Sequence, residues 1–429
     1  MRVFFKTFGC RSNLFDTQVM IANLKDFECV QNEESADIIV INSCTVTNGA
    51  DSGVQSYINK FKDSKKLYFT GCGIESKGRQ NFEKNTTFGT FPHSLKENIN
   101  ALLLEKKRFF YEEKTPEHID STLVSEFVGK RRAFVKIQEG CDFACSYCII
   151  PSVRGKARSF PMPKILEQLQ HLLDSGMSEI ILTGTNVGSY GRDFGSDISA
   201  LVKEIFKLKG LKRLRIGSLE PSQITEEFLE LIQSPLFEKH LHIALQHTSN
   251  TMLEIMNRQN RVESDKALFA RLREKGFFLG TDFIVAHPGE SAQVWEEALE
   301  NFKEMQITHL HPFIYSPRNG TRSSGLKNCT LGDEAKKRLH ILKQIVESNN
   351  LKARLEYQKC ADSKPLQVLI ESSKENQFFG LDEFFNKITL ETNPKLEVNS
   401  ESALKSLENG QWLEVSQYVP QKGKNYAKI

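Results

Sequence analysis

No apolar run in this 429-residue chain approaches the roughly 18 to 20 residues that span a bilayer. The start, Met1-Arg2-Val3-Phe4-Phe5-Lys6, lacks the longer apolar block and small-residue cleavage site of a secretion signal. The expectation is a cytoplasmic protein with no membrane partner. An excess of one charge is missing too: 57 Lys plus Arg against 54 Asp plus Glu leave a net +3. That is too little for bulk electrostatics to define a nucleic-acid coat, so any RNA contact must use local patches. Solenoid repeats and low-complexity segments are absent. So is an even set of cysteines. Nine of them spread over a long chain disfavour a disulfide framework and leave metal ligation or reactive thiols.

What is present is a pattern of strands and helices whose texture changes twice. Arg2-Val3-Phe4-Phe5, Asp37 to Asn42 and Lys66 to Thr70 read as strands of a small α/β unit, each followed closely by a cysteine, Cys10, Cys44 or Cys72. A parallel sheet brings such strand-end loops to one edge, where open α/β sheets place ligands. Taken singly, each is equally a small buried residue. Residues 101–129 are polar and weakly periodic, as a linker is, which puts a boundary near 129.

Candidate strands then follow at Ala133 to Ile137, Glu179 to Thr183, Lys212 to Gly217, Leu241 to Leu245, Phe278 to Val285 and His309 to Ile314. Helical patterns ending before Gly176 and Gly210 lie between them. Six β-α units make an incomplete barrel with its functional loops at the carboxyl ends of the strands. A last helix over Gly332 to Tyr357 leads to short β-like runs at Leu366 to Ile370, Lys387 to Glu391 and Gln411 to Val415, a small all-β module. The fold class expected is α/β in three units, 1–129, 130–360 and 361–429.

The strongest chemical signal is Cys141-x3-Cys145-x2-Cys148, within Gly140-Cys141-Asp142-Phe143-Ala144-Cys145-Ser146-Tyr147-Cys148, in the loop after the first barrel strand. Zinc sites normally close with four ligands, and no His or fourth Cys lies nearby in the sequence. Three thiolates suit an iron-sulfur cluster with one open iron, which can bind an outside amino and carboxylate group. Incidental core cysteines do not account for spacing and loop placement together.

This spacing, with Tyr147 before the last cysteine, resembles the radical S-adenosylmethionine superfamily. The resemblance extends over essentially the whole chain to the methylthiotransferases. It runs through Phe8-Gly9-Cys10-Arg11-Ser12-Asn13, Asn42-Ser43-Cys44-Thr45-Val46-Thr47-Asn48, Thr70-Gly71-Cys72, Arg154-Gly155-Lys156-Ala157-Arg158-Ser159 and Leu182-Thr183-Gly184-Thr185-Asn186. It continues through Asp282-Phe283-Ile284-Val285-Ala286-His287-Pro288-Gly289-Glu290 and Tyr315-Ser316-Pro317-Arg318-Asn319-Gly320-Thr321. The Cys-Thr-Val-Thr-Asn and Tyr-Ser-Pro-Arg-x-Gly-Thr forms look most like the MtaB-type branch, which acts on N6-threonylcarbamoyladenosine in tRNA.

The resemblance implies a partial (β/α)6 radical-SAM barrel between an N-terminal domain and a small C-terminal TRAM-like barrel. It implies two 4Fe-4S clusters, one on Cys141, Cys145 and Cys148 and a second on Cys10, Cys44 and Cys72. It implies S-adenosyl-L-methionine held by Tyr147 near the adenine, Gly184 and Thr185 near the amino and carboxylate groups, and polar contacts from Ser218, Glu220 and Gln246. No catalytic side chain is singled out, because the radical chemistry belongs to the cofactors. The implied partners are the tRNA anticodon stem-loop, an electron donor such as flavodoxin or ferredoxin, and a sulfur source. The same chemistry on isopentenyladenosine in tRNA or on a ribosomal-protein aspartate is the nearest alternative, and a non-catalytic iron-sulfur RNA-binding protein a further one.

Two stretches depart from the family pattern. Ala286-His287 stands where Gly-Phe is usual, and His247-Thr248 replaces Ser-Gly after Gln246, which questions the loop's backbone geometry. Cys29, Cys329 and Cys360 match no motif, and His240, His242 and His247 on one strand and its loop suggest packing more than metal binding. In the C-terminal unit, the aromatics of Gln377 to Phe385 are candidates for stacking on bases. Residues 361–429 hold 8 Lys, no Arg and 10 acidic residues. Basic contacts are therefore sought locally, at Lys422, Lys424, Lys428 and at Lys130, Arg131, Arg132.

Overall fold

The computed structural model describes residues 1–77, 88–105, 119–124, 127, 131–327, 330, 332–361, 363–375, 377–391 and 407–428. Most of the expected linker, Lys130 and Cys329 lie outside them. The first strands are β1 (Arg2–Thr7), β2 (Glu28–Cys29), β3 (Ile38–Ser43), β4 (Lys66–Gly71) and β5 (Phe88–Thr90). They form one parallel sheet in the order β2-β1-β3-β4-β5. Strand β3 is buried along its whole length, which is why it reads as a continuous apolar run rather than an alternation. Two of the five strands, β2 and β5, are too short for periodicity to reveal.

The second unit carries β6 (Ala133–Glu139), β7 (Arg158–Ser159), β8 (Glu179–Gly184), β9 (Arg213–Ile216), β10 (His240–His242), β11 (Phe278–Val285) and β12 (His309–Ile314). Strands β6, β8 and β9 pair in parallel, as do β10, β11 and β12. Parallel bridges Leu214–Phe237 and Leu219–Ile243 join the two halves. The result is the incomplete six-strand barrel that six β-α units suggest. Its helices are amphipathic: Met162–Asp174 buries Ile165, Leu169, Leu172 and Leu173, and Ile198–Ile205 buries Leu201, Val202 and Ile205.

A 28-residue helix, Gly332–Lys359, leads to a six-stranded sheet. It is made of β13 (Leu366–Lys374), β14 (Gln377–Leu381), β15 (Lys387–Glu391), β16 (Trp412–Val415), β17 (Val419–Gln421) and β18 (Lys424–Lys428). Here one sequence expectation is corrected in part, at two of the four phenylalanines of Gln377 to Phe385. Phe384 is buried in the sheet's own core, and Phe385 stacks on His240 of the barrel at 5.0 Å and 19°. These two rings are occupied in packing. Arg132 likewise pairs with Glu371 at 2.7 Å, and Lys422 with Glu347 at 2.9 Å.

The barrel's amino end is closed against this sheet by buried charge. Glu179 accepts from Arg213 Nε at 2.8 Å and Arg215 Nε at 2.6 Å. Arg213 also donates to the Gln367 carbonyl at 3.1 Å, and Arg215 to the Asp382 carbonyl at 2.7 Å and to Glu238. With that end plugged, the carboxyl ends of the strands remain for chemistry.

Candidate active site

Cys10, Cys44 and Cys72 lie just past β1, β3 and β4, and Cys141, Cys145 and Cys148 lie in the loop after β6. All six line one cavity of about 390 Å3. Tyr147, Gly184, Thr185, Ser218, Glu220 and Gln246 line it too. The twelve residues assigned to clusters and S-adenosylmethionine from the sequence therefore line one cavity.

The loop after β6 is fixed by its backbone. Gly140 has φ +74°, and a Cβ there would fall 1.8 Å from the Lys156 carbonyl oxygen, so no other residue fits. The Thr185 hydroxyl accepts from the Gly140 N–H at 3.2 Å, and Asn186 donates toward Cys141 Sγ at 3.6 Å. Gly184 is required for close approach: a Cβ would sit 2.9 Å from the Gln138 carbonyl oxygen.

The thiols fall into two groups by mutual electrostatic influence. Cys44 and Cys72 feel Cys10, and Cys72 feels Cys44; Cys141 feels Cys145, and Cys148 feels both. Burial pushes Cys72 up to about 11 and Cys148 up to about 12. These two thiols stay protonated at neutral pH unless a cation replaces the proton, so metal loading at Cys72 and at Cys148 releases protons. Among the described residues, the trio that brings three ligand atoms within 4.8 Å of one another is His242, Asp282 and His311. Neither cysteine trio meets that spacing. The all-sulfur donor sets fit iron-sulfur groups.

Three residues of the site were not assigned a role from sequence. Arg258 forms a bidentate pair with Glu220, at 2.7 and 2.5 Å, and lies 3.7 Å from Cys145 Sγ. Burial raises Glu220 despite this partner. Its carboxylate thus faces the cavity already held by a guanidinium. Arg154, buried, donates from Nε to Cys72 Sγ at 3.1 Å and also to Asn13, Glu139 and Asp16. Burial opposes its charge, but Glu139 and Asp16 hold it protonated. Arg154 belongs to the barrel unit and Cys72 to the N-terminal sheet, so one side chain ties the two trios' supports together. Arg318, the third, donates to Asp51 at 2.6 Å, and Ser316 accepts from the Asn48 N–H at 2.9 Å, closing the cavity wall between the units. Nothing in the local sequence pattern marks Arg258, whereas Arg154 and Arg318 stand within motifs already singled out.

The two departures resolve differently. In the loop after β10, the positive φ of +66° falls on Gln246 and Thr248 has none. The Thr248 hydroxyl donates to the Ala298 carbonyl at 2.6 Å, so the missing glycine costs no strain there. Ala286, where glycine is usual, has φ +61°, a strain of about 1–2 kcal/mol. His287 is fully buried; its ring nitrogens sit 2.8 Å from the Pro288 carbonyl and 2.8 Å from Ser323 Oγ. Burial pushes it down to about 4, so it is a neutral packed histidine. His247 lies 3.4 Å from Glu290 and packs on Phe283, apart from His240 and His242.

Fold and thiols together define a radical S-adenosylmethionine enzyme. The profile of the Radical SAM superfamily matches residues 135–302, and that of Uncharacterized protein family UPF0004 matches residues 2–90. A solved radical S-adenosylmethionine methyltransferase, TsrM from Kitasatospora setae, superposes with a TM-score of 0.55 at 14% identity over 74% of each chain, a likeness of fold. A putative methylthiotransferase of Helicobacter pylori is 52% identical over 99% of both chains. The threonylcarbamoyladenosine tRNA methylthiotransferase MtaB of Aquifex aeolicus is 33% identical over 86% of this chain and 93% of its own. A tRNA-2-methylthio-N(6)-dimethylallyladenosine synthase of a Sulfurihydrogenibium species is 31% identical over 89% and 91%. The chain belongs to the radical S-adenosylmethionine methylthiotransferase family and is an enzyme. Membership of the superfamily implies a 4Fe-4S cluster and S-adenosylmethionine. Among the described residues no helix is long and apolar enough to cross a membrane.

Proposed function

We propose that this enzyme adds a methylthio group to C2 of N6-threonylcarbamoyladenosine beside the tRNA anticodon. The observation that carries the reading is the opening of both cysteine trios into one cavity. When bound, a cluster with S-adenosylmethionine supplies radical removal of hydrogen from the base, and a second cluster supplies an iron on which sulfur can wait.

The chain's own residues have separable tasks in this reading. Cys141, Cys145 and Cys148 hold the first cluster, and Cys10, Cys44 and Cys72 the second. Tyr147, Gly184, Thr185, Ser218 and Gln246 receive S-adenosylmethionine, while Arg258 fixes Glu220 so that its carboxylate meets the ribose at one angle. With a cluster bound, Arg154 would stabilise the Cys72 thiolate with a charge-assisted hydrogen bond. Val46, Phe313 and Ile314, each more than a third exposed, line the same cavity and offer apolar surface to a flipped-out base. The units 1–129, 130–360 and 361–429 divide the work into sulfur site, radical site and a TRAM-like RNA-holding sheet, with an electron donor and a sulfur source supplied from outside.

The choice of N6-threonylcarbamoyladenosine rests on the Cys44 and Tyr315 motifs and on the MtaB relatives. Relatives acting on dimethylallyladenosine are nearly as similar, so the acceptor is the point to test. Nucleosides from total tRNA of a strain lacking the gene, compared with its parent by mass spectrometry, decide it. Loss of the 2-methylthio form with accumulation of threonylcarbamoyladenosine supports the reading. Loss of the methylthio form of dimethylallyladenosine transfers the chemistry to that base, and unchanged tRNA directs the search to ribosomal proteins. Reconstituted protein should bind about eight irons per chain; about four would remove the second cluster.

A further inference from the structure

Inside the barrel, His242 of β10, Asp282 of β11 and His311 of β12 converge from three adjacent strands. Asp282 and His311 are direct partners in the β11–β12 register, whereas His242 stands opposite Gly280. Gly280 is what permits the convergence. A Cβ at that position would lie 2.9 Å from His242 Nδ1, so its absence lets the imidazole lie across β11 and reach Asp282. His242 Nε2 is 3.2 Å from Asp282 Oδ1 and His311 Nδ1 is 3.4 Å from the same oxygen. All three ligand atoms fall within 4.8 Å of one another.

These separations match neighbouring ligands on one ion. Bonds of about 2.0–2.1 Å at tetrahedral angles put donor atoms roughly 3.3 Å apart. His242 Nε2 is buried and meets Asp282 as an ion-pair contact, at a geometry poor for a hydrogen bond. An ion bound between the two imidazoles and the carboxylate would use the donor capacity that this geometry leaves underused. Asp282 also lines the cavity that holds the six thiols, and His311 is 61% exposed, so the place has a route of entry and open sides.

We propose that His242, Asp282 and His311 form a binding site for one divalent transition-metal cation, with zinc and ferrous iron as the ions its two-imidazole, one-carboxylate donor set favours. The three ligands leave coordination positions toward the cavity for an oxygen of a bound molecule. The site is separate from both cysteine trios and does not depend on which acceptor the enzyme uses.

The test is zinc binding to the cluster-loaded full-length enzyme under anaerobic conditions. Equilibrium dialysis against Zn2+ followed by elemental analysis should give one zinc per chain beyond the cluster iron. X-ray absorption at the zinc edge should show nitrogen and oxygen scatterers at about 2.0–2.1 Å without sulfur near 2.3 Å. H311Q and D282N should each weaken retention at least tenfold with cluster iron unchanged, and Cys29→Ser should leave it intact. H311Q is the informative variant for folding, because His311 is exposed on an edge strand. No retained zinc, a sulfur-dominated zinc shell, or equal retention by both variants would each overturn the site. Growth on 57Fe separates the two ions: a high-spin ferrous doublet beside the cluster signals, lost in H311Q, assigns iron.

Discussion

The barrel is held at its two ends by buried charge, and the two ends do different things with it. At the amino end, Arg213 and Arg215 spend their donors on Glu179, Glu238 and backbone carbonyls of the C-terminal unit. At the carboxyl end, Lys136, Lys96 and Arg154 face Asp16, Asp120 and Glu139, with side chains at most 4% exposed. There one guanidinium edge is left for a thiol, Cys72. The packing problem is the same in both places: a charge out of water must be paired or it destabilises the fold. Only the carboxyl-end solution also reaches into the cavity, so position rather than strength separates a structural network from one coupled to chemistry.

The sharpest way to break that comparison is to remove one guanidinium from each end. Arg154→Gln and Arg215→Gln should each cost about 3–5 kcal/mol, because both leave carboxylates buried without a partner; the urea midpoint of anaerobically purified protein measures it. Iron content then separates them. The Arg154 variant should lose iron from the Cys72 trio, and the Arg215 variant should keep its full complement; equal iron in both would make the two ends alike.

A second difference appears with pH. Burial pushes His93, 3.2 Å from Asp16 and from Glu139, down to about 4 against the pull of those carboxylates. The unfolded chain therefore takes up this proton first as pH falls. Stability is full above about 6.5 and lost between there and about 4, by an amount on the order of 3 kcal/mol. His93→Gln should flatten that segment of the stability curve, and an unaltered slope would take His93 out of the network's titration.

Strain at Ala286 gives a smaller effect. Ala286→Gly should raise the urea midpoint by an amount equivalent to about 1 kcal/mol, by relieving a left-handed alanine; a fall would mean the loop prefers its Cβ. The least effect belongs to the surface pair Lys203–Glu227, with both side chains nearly half exposed. Lys203→Ala should not shift the midpoint measurably. A shift as large as that of Arg215→Gln would show that burial is not what gives the end networks their weight.

Much of this arrangement was readable in the residues, and the part that was not has a physical cause. Buried parallel strands read as apolar runs, and ligands gather at strand ends, so Cys10, Cys44 and Cys72 fell together although 62 positions separate the first from the last. The networks were hidden because their members come from different units. Asp16 and Lys136, 2.6 Å apart, are 120 residues apart in sequence, and no periodicity links them. Base-stacking rings in the C-terminal unit were the reverse error: Phe384 and Phe385 resemble a ligand platform in a linear reading, while the fold had already used them. The metal trio was hidden for a third reason, since its decisive residue is Gly280, which contributes by having no side chain.

The bond from Arg154 to Cys72 also bears on how freely the parts of this enzyme can be exchanged. A thiol that accepts a hydrogen bond from a residue of another unit does not carry its chemistry with it when its own unit is moved. Grafting the N-terminal sheet onto a different barrel transfers three cysteines but leaves behind the guanidinium that one of them leans on. Lineages that recombine these units must therefore inherit both halves of the contact at once, or rebuild one of them before sulfur can be handled.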